Sequence, residues 1–226
     1  MERIISSELL DIIPHASGFL FAEKTVADGE AKVGFFSFEQ AKREIFPITA
    51  KTYLTHKFGE KYRKIVDTIG DFISCSAAPL GKGGTIVLFE GGEIYIFDPK
   101  GNKSWTGSIS YADEPIYDFA VDGKEVWCTV PNCNAIVCYS PAESRVTMRI
   151  GGNNSAVFSD PKGISKTGDI IYVCNADTNT VRTVNVSDYS VKDYHTFKEP
   201  VKNYYKIADT EYAVLKSGVY IMDEDD

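Results

Sequence analysis

Two stretches of the chain repeat one another in register. Residues 115–140 ("PIYDFAVDGKEVWCTVPNCNAIVCYS") and 161–188 ("PKGISKTGDIIYVCNADTNTVRTVNVSD") follow one plan. Each runs proline, apolar strand, glycine turn, apolar strand ending in cysteine, asparagine-bearing turn and a third alternating strand. Pro115 matches Pro161 and Cys128 matches Cys174 at one common spacing, so the likeness is one of register and not of composition. Short strands recurring roughly every 40–50 residues predict an all-β propeller of four-stranded antiparallel blades.

The second repeat is the clearest blade. Residues 163–165 read as an inner strand, 170–174 as an unbroken apolar strand and 189–197 as an outer strand. Between them, 181–186 alternates apolar and polar side chains, the period of two that a strand imposes. Residues 116–150 and 72–109 follow the same plan, and 9–48 follows it more loosely. The last segment, 204–223, supplies only three strands. Arg3, Ile4 and Ile5 have no other assignment, and pairing them with the last strand would cover the edges that an open ring leaves bare. The expectation is therefore a five-bladed propeller whose last blade is closed by the N-terminal strand. Six blades are the alternative and would need 52–67 to be a blade, which its pattern does not suggest. The whole of 1–226 reads as one domain with an insertion at 51–68.

One blade with the strand before it, "TMRIGGNNSAVFSDPKGISKTGDIIYVCNADTNTVRTVNV" (147–186), resembles a YVTN-type propeller repeat, and more loosely an NHL repeat. The shared pattern is a strand ending in Gly-Gly, a Pro-x-Gly inner strand, a Gly-Asp turn, "IYVCN" and a "V-x-x-V-x-V" strand. The resemblance implies the propeller fold. It implies no activity, because proteins with such repeats include scaffolds, binders and enzymes.

Composition narrows the function classes. A net charge of −8 argues against the phosphate backbone of a nucleic acid, and against an anionic membrane surface, as partner. Early acids in the first eight residues do not suit a signal peptide, and no run approaches the roughly 20 apolar residues of a membrane span. Five cysteines, an odd number, fit a reducing compartment and a cytoplasmic monomer. Cys128, Cys133 and Cys138 are evenly spaced, unlike the close pairs of a zinc site. They read, with Cys75 and Cys174, as thiols of the blades, and no metal is expected of them. His15, His56 and His195 are scattered, and no nucleophile elbow or phosphate loop occurs.

In a propeller, the loops leading into the inner strands share one face with the loops joining second and third strands. The unusually long connections fall there, at 22–32 and 51–68. In the second, Leu54, Phe58, Tyr62 and Ile65 recur at helical spacing, and Lys57, Lys61 and Arg63 form a basic patch. Lys57, Lys61, Tyr62 and Arg63 are thus candidate contacts for an acidic protein or peptide. Asp11, Asp71, Asp118, Lys162 and Tyr205 are expected at the channel mouth, where three carboxylates would suit a calcium ion; no other cofactor is expected. The leading function is a non-enzymatic module that binds a protein or peptide on the insertion-bearing face. The alternatives are a small-molecule or glycan binder, or a hydrolase or lyase using the mouth acids. An aromatic-walled pocket between blades would favour the small-molecule reading.

Overall fold

The computed structural model describes residues 1–15, 17–24, 31–46, 60–69, 75–89, 91–123 and 125–222. The chain begins with β1 (Glu2–Ile5), and its first sheet follows as β2 (Leu9–His15), β3 (Gly18–Lys24), β4 (Ala31–Ser37) and β5 (Lys42–Phe46). Helix α1 (Glu60–Ile69) leads to β6 (Cys75–Leu80), β7 (Gly84–Phe89), β8 (Glu93–Phe97) and β9 (Lys103–Ser108). A small hairpin of β10 (Ser110–Tyr111) and β11 (Glu114–Pro115) precedes β12 (Phe119–Asp122), β13 (Glu125–Val130), β14 (Ala135–Ser140) and β15 (Arg145–Gly151). Next come β16 (Pro161–Thr167), β17 (Ile170–Asn175), β18 (Thr180–Asn185) and β19 (Val191–Thr196). The chain closes with β20 (Val201–Ile207), β21 (Thr210–Leu215) and β22 (Gly218–Ile221).

Four of the four-stranded sheets are antiparallel up-and-down meanders of consecutive strands. The chain divides into two compact units, one of residues 7–108 and one of residues 1–6 with 109–226. Within the first, the leading strands β2 and β6 of its two sheets lie against each other. Within the second, β12, β16 and β20 do the same in succession. That is how propeller blades meet, inner strand to inner strand.

The number of blades corrects the expectation. Among the described residues four sheets, β2–β5, β6–β9, β12–β15 and β16–β19, are blades of four consecutive strands, so there are four such blades among them and not five or six. Only β20–β22 remained for a fifth, and its fourth place is taken from the opposite end of the chain, in the order β1-β22-β21-β20. This closing sheet is a composite of both chain ends. Repeat counting overlooks the distinction because the last three strands have the pattern of a blade without its full complement. A sixth blade fails for a plainer reason, since 60–69 is helical.

The pairing expected of Arg3 and Ile5 is present, with Arg3 opposite Tyr220 and Ile5 opposite Val219. Gly218 makes it possible. Its φ of +144° is unfavourable to any side chain, and a Cβ there would lie 1.9 Å from the Ile5 carbonyl oxygen. Ile5 itself is fully buried.

Two apolar layers fill the larger unit. Trp127, Ile136 and Cys138 of one sheet meet Ile164, Ile171, Val173 and Val184 of the next. The opposite face of that second sheet places Tyr172, Cys174 and Val181 against Tyr204, Ala213 and Leu215 of the composite sheet. The cysteines behave as small apolar residues: Cys128 and Cys174 are fully buried, and burial pushes both thiols well up.

Candidate functional site

Of the residues expected at the channel mouth, Asp118 has the most definite role. It stands at the head of β12 and binds that strand and the next two inner strands, β16 and β20. Its Oδ1 accepts a hydrogen bond from the Phe119 amide at 2.8 Å. Its Oδ2 accepts from the Ile164 amide of β16 and from the Asn203 side chain of β20, both at 3.0 Å. Thr129 adds a bond from its hydroxyl to the Lys162 carbonyl at 2.7 Å. The carboxylate therefore satisfies backbone donors where successive sheets converge.

Lys162 turns elsewhere. Its ammonium pairs with Asp160 at 3.0 Å and lies 5.9 Å from the centre of the exposed Tyr117 ring. The hydrogen bond to Asp160 raises its pKa. Tyr205, in β20, is buried opposite Tyr212. Asp71 and Lys57 lie outside the described residues. Asp11 falls in β2, and Tyr62 and Arg63 fall in α1; their side chains are likewise outside the described set. Lys61 is described, and its ammonium donates to the carbonyls of Gly83 at 2.8 Å and Gly84 at 3.4 Å. That places its charge on a turn of its own unit, and burial lowers its pKa.

A different constellation lies between the β16–β19 sheet and the composite sheet. Glu211, at the start of β21, accepts hydrogen bonds from the Tyr194 hydroxyl at 2.7 Å, the Lys206 ammonium at 2.9 Å and the Tyr204 hydroxyl. His195 Nε2 stands 3.7 Å from the same carboxylate. Burial pushes the Glu211 carboxyl up, yet the donors from Tyr204, Tyr194 and Lys206 outweigh it and hold the group down at about 2. Burial, reinforced by Glu211, drives the phenols of Tyr194 and Tyr204 the other way, well above their ordinary value. The rings of Tyr172, Tyr194, Tyr204 and His195 pack with centroids 4.4 to 5.9 Å apart.

Next to this cluster, the face of β17–β19 turned toward the composite sheet opens into a recess of about 310 Å³. Strand register explains its lining. Tyr172, Thr183 and Lys192 form one cross-strand row, and Ile170 and Asn185 form the next. Ser190 and Tyr194 flank Lys192 at the period of two that puts alternate side chains on one face. A bulge opposite Val181 and Arg182 keeps Tyr194 in line. Asp193 also contributes to the lining, and its carboxylate is held by Arg182 at 2.7 Å.

None of these residues stood out in the sequence. Glu211 sits beside a polar turn, where an acid usually means solvent, and Tyr194 and Tyr204 belong to different sheets. The one available signal was the density of tyrosines on 189–212. Reading it as a site requires knowing which strand faces which. Of the two tryptophans, Trp127 is buried and Trp105 is exposed.

Among the described residues, no group of three or more His, Cys, Asp or Glu side chains is arranged to hold a metal. Nor, among them, is any helix long and apolar enough to cross a membrane.

No protein-family model matches the chain and no curated protein does, so the YVTN-type resemblance stands on its residues alone. Among solved structures, the chain is similar to a streptogramin B lyase, with a TM-score of 0.48 and 12% identity over 96% of this chain and 69% of that one. It is also similar to the computationally designed Ika4 protein, with a TM-score of 0.47 and 12% identity over 63% of this chain and 86% of that one.

Proposed function

We propose that the chain is a non-catalytic binding module that takes a sugar-sized small molecule in the recess on β17–β19. The observation that carries the reading is the combination of an aromatic wall with unspent polar groups on one sheet face. Tyr194 is 39% exposed and its hydroxyl is tied to Glu211, so its ring is held as a rigid platform. Thr183 and Asn185 stand beside it. The Asn185 carbonyl oxygen already accepts from the Ser187 amide, which turns the side-chain NH₂ outward as a donor. A cavity of about 310 Å³ is at the small end of ligand pockets, which suits one pyranose ring better than a peptide. The peptide-binding alternative loses one contact, because Lys61 serves its own unit.

The test is ligand-observed NMR, followed by calorimetry, with glucose, galactose, N-acetylglucosamine and glucuronate. At least one of these binds, and Tyr194→Ala weakens it tenfold or more. Thr183→Val, which leaves the tyrosine cluster alone, weakens it severalfold in a protein of unchanged melting temperature. If none of the four binds, or both variants bind as well as the parent, the recess is not a sugar site.

A further inference from the structure

Resting on that reading, we propose that the ligand is acidic: a sugar carrying one carboxylate, of the uronic acid type, with Lys192 as its charge partner. Three observations lead there. Lys192 lies in the cross-strand row with Tyr172 and Thr183, on the recess face and between Ser190 and Tyr194. Among the described residues, no carboxylate is within ion-pair distance of its ammonium. Two acids neighbour it in sequence, and each has another partner, although, after the hydrogen bonds from Ser190, the Lys192 charge also helps to lower the Asp188 carboxyl. Asp193 is held by Arg182 at 2.7 Å, and Asp188 accepts a hydrogen bond from the Ser190 amide at 2.9 Å.

The contrast with Lys206 sharpens the point. That ammonium, on the opposing sheet, is bound to Glu211 at 2.9 Å. The recess thus has one cation outside any ion pair, beside an Asp193 carboxylate that Arg182 neutralises, together with the neutral donors of Thr183, Asn185 and Ser190. A single ammonium with hydroxyl and amide donors matches a monoanionic carboxylate. It does not match a phosphate dianion, which calls for a second cation or a bidentate guanidinium. The apolar wall of Ile170 and Tyr194 would meet the C–H face of the ring, and the hydroxyls would meet Thr183 and Asn185. On a protein of net charge −8, the attraction for an anion is a local contact and not a long-range field.

The experiment compares glucuronate, glucose and inorganic phosphate on the full chain and on Lys192→Gln, by calorimetry at one ionic strength. The expected result is glucuronate binding about tenfold tighter than glucose, with Lys192→Gln removing that preference by weakening glucuronate about tenfold more than it weakens glucose. Lys192 is exposed on an outer strand, so this variant keeps the fold. If glucose binds as well as glucuronate and Lys192→Gln changes neither, the acidic-ligand inference falls while the sugar reading stands. Phosphate binding more tightly than glucuronate would overturn the inference in favour of a phosphorylated ligand. If no sugar binds at all, both fall together.

Discussion

Asp118 and Glu211 are two carboxylates of the same unit, both surrounded by donors, and they do different work. Asp118 is held chiefly by backbone amides and one carboxamide from three successive inner strands. Glu211 is held entirely by side chains, two phenols and an ammonium, at the outer margin between two sheets. The first fixes how sheets converge. The second fixes how one aromatic ring stands beside an open recess. A charge that satisfies backbone serves the fold, whereas one that positions side chains leaves a surface for function.

The comparison can be broken at several points. Glu211→Ala should have the largest effect, about 3 kcal/mol of lost stability, because it strands a partly buried ammonium and two phenols at once. Urea unfolding measures it, and a loss under 1 kcal/mol would mean that the cluster is ornamental to stability. The acid side of the stability curve gives a related test. The folded carboxyl sits near 2 and the ordinary value is 4.5, so its stabilisation is complete above about pH 4.5 and fades as pH falls toward 2. That contribution is on the order of 3 kcal/mol at neutral pH. Glu211→Gln should flatten the curve in that window; an unchanged acid slope would assign it to other groups. Asp118→Ala should cost less, about 2 kcal/mol, since its strands keep their ladder bonds. Unlike the Glu211 variants, it should leave ligand affinity intact, and a parallel loss of binding would erase the distinction drawn here.

Much of the strand pattern was legible from residues. The expected strand at 170–174 is Ile170–Asn175, because alternation and turn chemistry are local properties. The inner strand expected from 116 begins instead at Phe119. There the Tyr117 amide bonds to the Thr129 carbonyl, and a two-stranded hairpin, β10–β11, occupies the approach. The candidate site was far less legible. Asp118 was singled out by register, but its partners Ile164 and Asn203 lie 46 and 85 residues away in sequence. Lys61 was read as a charge facing a partner, and it meets a turn of its own unit.

The amino-acid sequence by itself determined that this chain makes short antiparallel meanders with buried thiols, and that its first strand belongs with its last. Those outcomes follow from side-chain period, turn residues and an unpaired edge, which act over a few neighbours or through one missing strand. Tertiary structure alone decided that the chain makes four blades of consecutive strands and a composite sheet. It also decided that Tyr194, Tyr204 and Glu211 meet. The physical reason is that hydrogen bonds and ring contacts between sheets depend on which faces are pressed together, and no local pattern encodes that distance.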